Sequence, residues 1–171
     1  FSALARAEAP AQLRIDWVDA LATASGATGM CGGQALDIDA TGHTQALAQL
    51  QRMHSLKTGA LVRAAVRMGA LAADADQDTL ARLDTFAAAF GLAFQVRDDL
   101  LDIEASSEQL GKTAGKDVAQ AKATYPALLG LQGARARLDE LAATMRDALA
   151  PLGSAAAHLA ALGERAVHRS H

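Results

Sequence analysis

With 171 residues and 51% of them apolar, the chain is long enough to bury one sizeable core, and a composition this apolar excludes disorder. Its formal net charge of -3 has the wrong sign for a general nucleic-acid binder, so no nucleic-acid partner is expected. A single cysteine, Cys31, excludes an internal disulfide framework and fits a reducing compartment, which makes the cytoplasm the expected location.

Ala, Leu, Gln, Arg and Glu dominate, and the alternation of β-branched and aromatic residues that marks strands is almost absent, so an all-α fold is expected. The first nine residues already read as helical, with Phe1, Leu4 and Ala5 apolar against Ser2, Arg6 and Glu8, which suggests a truncated or processed start. After Pro10, helices are predicted over 11–39, 44–72, 77–103, 119–131, 133–149 and 154–168. Long helices joined by short connections make a bundle. The sequence 39–42 (Asp-Ala-Thr-Gly) and the sequence 74–76 (Asp-Ala-Asp) supply polar turns. Ser106 and Ser107, followed by Gly111 and Gly115, read as a loop over 104–116 with flexible points. Gly29, Gly32, Gly33 and Gly59 fall inside helical stretches, where glycine is unfavourable, and close helix packing is the plain explanation. The longest apolar run, 86–94, is too short to cross a bilayer, so no membrane insertion is expected.

The chemistry concentrates near the end of the third predicted long helix. Asp98 and Asp102 are one turn apart and Asp99 sits beside them, so three like charges crowd one region unless something positive lies between them. Carboxylates are the hard oxygen donors that magnesium prefers, and a divalent cation carrying a phosphate would relieve the repulsion. Lysine usage points the same way. Only four of the sixteen basic residues are lysines, and they fall at Lys57 and at Lys112, Lys116 and Lys122. A compact ammonium suits phosphate oxygens, although ordinary solvated lysines remain the alternative. Gln34 and Asp37, three residues apart among small and apolar neighbours, read either as a core hydrogen-bond network or as support for a site. Gln95 precedes Asp98 by three and is either a core amide or a ligand contact. His54 and Cys31 have no zinc-like spacing, so a structural role is expected for both. No Gly-rich nucleotide loop and no nucleophile motif occurs, which disfavours nucleotide-driven phosphoryl transfer and acyl transfer.

Four ordered segments together carry a resemblance. These are Gly29 to Asp37 (GMCGGQALD), Met53 to Leu61 (MHSLKTGAL), Gly91 to Asp102 (GLAFQVRDDLLD), and the lysine-bearing segment from Leu110-Gly111-Lys112 through Gly115-Lys116-Asp117 to Lys122-Ala123-Thr124-Tyr125-Pro126. In this order, with the basic end Val167-His168-Arg169, the chain resembles the trans-isoprenyl diphosphate synthases, most nearly the bacterial farnesyl diphosphate synthase type.

The resemblance implies an all-α isoprenoid-synthase bundle around a central cavity, usually homodimeric, with two aspartate-rich motifs facing each other. It implies head-to-tail condensation of isopentenyl diphosphate with an allylic diphosphate to a short-chain product. Asp98, Asp99 and Asp102 would bind magnesium. Lys57, Lys112 and Lys122 would contact the allylic diphosphate, Lys57, Thr58 and Gln95 would lie at the reaction itself, and Gln34 and Asp37 would support metal and lysine from behind. The family's first aspartate-rich motif has no counterpart here, since Asp98-Asp99 is the only Asp-Asp pair. The expectation is therefore that residues 1–171 are the C-terminal portion of one synthase domain, inactive alone. A non-catalytic partner subunit and a terpene-cyclase-like enzyme are the alternatives.

Overall fold

A computed structural model describes residues 1–110 and 123–170. These residues form eight α-helices: α1 (Ser2–Ala5), α2 (Ala11–Ser25), α3 (Met30–Asp39), α4 (Leu47–His54), α5 (Ala60–Ala72), α6 (Gln77–Leu110), α7 (Tyr125–Leu149) and α8 (Ala157–His168). A π-helical turn, Ser55–Gly59, joins α4 to α5, and a 3₁₀ segment, Ala150–Ala156, joins α7 to α8. The all-α expectation holds.

The long α6 is the axis of the fold. It packs against α5 and the π turn on one side and against α7 and α8 on the other. A helix covered on several sides must be apolar nearly all round. Phe86, Ala87, Ala93, Val96 and Leu100 are accordingly buried along it, with Leu50, Tyr125, Ala134 and Met145 from its neighbours. Each large side chain among them contributes roughly 1.5–3 kcal/mol relative to exposure.

Several predicted boundaries move, each for a local reason. The single helix expected over 11–39 is broken at Gly26, whose extended ψ of -165° caps α2. A Cβ on Gly29 would sit 2.7 Å from the Thr23 carbonyl oxygen, so the chain can double back here only without a side chain. The helix expected from 44 starts at Leu47, where the Gln49 side chain accepts the Ala46 N–H at 2.8 Å. At the other end of the fold's axis, α6 runs past the predicted end at 103 to Leu110, through Ser106 and Ser107. Two serines cost a helix little, and the first strong breaker in the sequence is Gly111. The rest of the expected loop, 111–116, lies outside the described residues. The helices expected over 119–131 and 133–149 are one element, α7, kinked at Gly130 with φ 73°. It begins at Tyr125, with Pro126 in the first turn and the Thr124 hydroxyl accepting the Ala127 N–H at 3.3 Å. The last helix expected from 154 starts three residues later, because Gly153 takes φ 55° within the 3₁₀ segment.

Candidate active site

Two glycine contacts set the site. Gly33 of α3 lies against the π turn so closely that a Cβ on it would be 2.6 Å from Lys57 Cα, and a Cβ on Gly91 of α6 would be 2.8 Å from Gly59 Cα. Backbones at this separation bring α3, the π turn and α6 together without intervening side chains. The π turn widens the helix at the residues that carry Lys57 and Thr58, as single π turns often do at functional sites.

A cavity of about 370 Å³ opens where these elements meet and the start of α7 approaches. Asp37 from α3, His54 and Lys57 from the α4–α5 rod, and Gln95, Asp99 and Asp102 from α6 line it, with Thr124 at the entry to α7. Lys57 Nζ donates to Asp37 Oδ2 at 2.7 Å in a half-buried ion pair. Gly33 is one turn before Asp37, so the close approach delivers the carboxylate to the lysine.

Asp99 is buried, with 8% of its surface exposed, and its Oδ2 accepts the Tyr125 N–H at 2.8 Å. The carboxylate thus ties α6 to the first residue of α7. Gln95, one turn earlier, approaches the other Asp99 oxygen at 3.5 Å. Burial raises the Asp99 carboxyl above the ordinary range, while the Tyr125 and Gln95 hydrogen bonds act against that rise and the neighbouring Asp102 and Asp98 charges add to it.

Asp98 lies at the far edge of the acidic stripe. Neighbouring helix residues are set roughly 100° apart, so Asp98 and Asp99 bracket Gln95 and Asp102. Asp98 is not a lining residue of the cavity and pairs with the Arg169 guanidinium instead. Among the described residues, no group of three or more His, Cys, Asp or Glu side chains is arranged to hold a metal ion. The acidic donors from α6 that line the cavity are Asp99 and Asp102, neighbours on one face of that helix and hard oxygens suited to magnesium.

The remaining sequence candidates divide. Thr58 is half-buried in the π turn but does not line the cavity, and Gln34 is exposed on α3 away from it. Lys112, Lys116 and Lys122 lie outside the described residues. Sequence reasoning missed the place of His54. It is 7% exposed, lines the cavity, and packs against the Tyr125 ring at a centroid distance of 5.6 Å. Burial lowers its pKa from 6.5 to about 4, the Asp37 charge opposing this and the Lys57 charge adding to it. The signal was present, since His54 precedes Lys57 by three residues and so shares its face.

A family model described as polyprenyl synthetase matches residues 3–156. The chain is 48% identical over 166 residues to the farnesyl diphosphate synthase of Escherichia coli (strain K12), covering 95% of this chain and 56% of that protein. With the farnesyl diphosphate synthase of Geobacillus stearothermophilus it shares 46% identity over 129 residues, which is 75% of this chain and 43% of the relative. Among solved structures, an FPP/GFPP synthase from Zymomonas mobilis matches with a TM-score of 0.80 at 35% identity, covering 92% of this chain and 52% of that one. The Helicobacter pylori geranyltransferase complexed with magnesium and isoprenyl diphosphate matches with a TM-score of 0.77 at 29% identity, covering 97% and 55%. The chain therefore spans about half the length of the curated relatives it matches. Over that half, sequence and fold agree, and the chain belongs to the polyprenyl synthetase family.

Proposed function

We propose that the protein is a prenyltransferase that condenses isopentenyl diphosphate with an allylic diphosphate, head to tail, to a short-chain product such as farnesyl diphosphate. The observation that carries this reading is the single cavity onto which Lys57, Gln95, Asp99 and Asp102 converge. Diphosphate departure from an allylic carbon leaves a carbocation, so the site must hold negative charge on the leaving group and keep water from the cation. Lys57, oriented by Asp37, offers the ammonium for a diphosphate oxygen. Gln95, which lines the cavity, and Thr58 are read as lying near the reacting carbons, and Lys112 and Lys122 are read as further diphosphate contacts.

Asp98, Asp99 and Asp102 are read as magnesium ligands, with Gln34 and Asp37 as support. The buried, charge-starved Asp99 and the exposed Asp102 beside it supply the donor chemistry for that reading. When bound, magnesium supplies positive charge to the diphosphate. The Helicobacter pylori relative, complexed with magnesium and isoprenyl diphosphate, supports the same reading. In this proposal the 171 residues are the C-terminal portion of one synthase domain, the enzyme is a homodimer, and it works in the cytoplasm. No helix among the described residues is long and apolar enough to cross a membrane.

The test is incorporation of radiolabelled isopentenyl diphosphate into acid-labile product by the full-length protein, with dimethylallyl or geranyl diphosphate as co-substrate. Asp102→Ala is expected to lower turnover by about a hundred- to a thousand-fold, the usual loss for one preorganised electrostatic contact. Unchanged turnover would overturn the site assignment.

A further inference from the structure

His54 brings polar atoms to the cavity wall that the fold leaves unused. The residue is buried, and the little that stays open faces the cavity it lines. Its Nδ1 is sealed from solvent with no hydrogen-bond partner, whereas Nε2 is not sealed and, among the described residues, not hydrogen-bonded. The Nε2 edge of the ring is therefore the one that opens on the cavity. The Tyr125 ring, tilted 33° to the imidazole at a centroid distance of 5.6 Å, backs that orientation. His54 also stands three residues before Lys57, which lines the same space and whose Nζ is engaged with Asp37 at 2.7 Å.

A sealed polar atom without a partner is costly and uncommon, so this ring needs an account. A neutral imidazole carries one N–H donor and one bare acceptor nitrogen. Burial lowers the His54 pKa to about 4, so near neutral pH the ring holds a single proton. On Nδ1 that proton would meet no acceptor. On Nε2 it faces a cavity lined by the carboxylates of Asp37, Asp99 and Asp102, and the negative charge of Asp37 acts on the ring more strongly than the positive charge of Lys57. The proton therefore sits on Nε2. Carboxylates only accept, so the oxygens of an anion in this cavity must be met by donors, and the wall that carries Lys57 supplies two of them, one charged and one neutral. We propose that His54 is a ligand-binding residue: with its proton on Nε2, it donates that N–H to an oxygen of the diphosphate that Lys57 contacts. The donor is aimed before the ligand arrives, because the ring is packed in place against Tyr125. The inference rests on reading Lys57 as a diphosphate contact.

The experiment is calorimetric titration of the full-length protein with inorganic pyrophosphate in the presence of magnesium, for the wild type, His54→Phe, His54→Gln and Lys57→Ala. His54→Phe keeps a ring against Tyr125 and loses the N–H, whereas His54→Gln loses the ring and keeps an amide N–H at about the reach of Nε2. His54→Phe is expected to bind pyrophosphate about ten- to a hundred-fold more weakly than the wild type, the worth of a hydrogen bond to a charged group. His54→Gln should stay near wild-type affinity, a rescue that a purely structural role would not produce. Wild-type affinity in His54→Phe overturns the proposal, and so does an equal loss in both variants, which would assign His54 to ring packing. If Lys57→Ala binds pyrophosphate like the wild type, the diphosphate reading of the cavity fails and the inference with it; if Lys57→Ala weakens binding and His54→Phe does not, the inference alone fails. Nitrogen NMR of the wild type needs no variant: the His54 proton is expected on Nε2 in the ligand-free protein, and the Nε2 resonance is expected to move on saturation with pyrophosphate and magnesium. A proton on Nδ1, or an unmoved Nε2 resonance, overturns the assignment.

Discussion

At the scale of single residues, the site holds groups whose pKa values burial moves away from those they would have in water. His54 is the clearest. Its folded pKa of about 4 lies below the ordinary 6.5, so between these values the unfolded chain binds the proton that the folded protein excludes. The stability held by the neutral imidazole is complete above about pH 6.5 and is lost as pH falls through 4, amounting to about 3 kcal/mol across that window. Chemical denaturation from pH 7.5 to 4 should show this loss, and His54→Phe, which cannot take up the proton, should flatten it. Asp99 has the opposite sign. Burial raises its carboxyl, making the anion less favourable in the folded protein than in water, so a cation bound there would offset that cost and stabilise the fold. Lys57 depends on Asp37 for its orientation through their 2.7 Å ion pair. On the proposed function, Asp37→Ala in the full-length protein is therefore expected to lower kcat more than it raises KM for the allylic diphosphate, by about tenfold, since a misaimed ammonium still attracts the substrate but no longer meets the developing charge. Equal kinetics in steady-state assays would count against that orientation.

At the scale of elements, the acidic segment of α6 was legible because helical spacing fixes which side chains share a face. Gln95, Asp99 and Asp102 line one cavity with Lys57, whereas spacing alone had paired Asp98 with Asp102 on the shared face. Helical spacing says nothing about which tertiary neighbour takes an edge residue, so the pairing of Asp98 with Arg169, 71 residues away, was out of reach. Nor does it show a π turn, a rare single-turn bulge within an α-helix that side-chain spacing does not announce. The glycines were recognised as packing positions, but only the fold shows which backbones they admit. Gly33 is the sharpest case. A methyl group there meets the backbone of Lys57, with nothing flexible to yield, so Gly33→Ala should push the π turn away from α3. The expected cost is about 1–3 kcal/mol in denaturant unfolding, with a fall in turnover larger than that stability loss explains because Lys57 moves with its backbone. The effect is expected to be much smaller for Gly69→Ala, where a Cβ meets nothing within 4 Å.

At the scale of the whole molecule, the carboxylates decide what these 171 residues can do by themselves. The chain spans about half the length of its curated relatives and contains one Asp-Asp pair. Its cavity has an acidic wall on α6 and a lysine wall on the π turn, each built on helices that pack through a shared core of Leu50, Met53, Val96 and Leu100. On the proposed function, expelling a diphosphate requires compensation of developing charge over the whole leaving group, and the charged groups lining this cavity come from α3, the π turn and α6 alone. Removing a single preorganised contact from such a site costs on the order of 2.7–4 kcal/mol, and removing an entire opposing cluster removes several at once. The 171 residues expressed alone should therefore bind inorganic pyrophosphate in the presence of magnesium, detectable by calorimetry, yet give no chain elongation when assayed with labelled isopentenyl and geranyl diphosphates beside the full-length protein. Elongation by the 171 residues would mean that both charge clusters lie within them and that the metal-binding carboxylates include residues outside Asp98, Asp99 and Asp102.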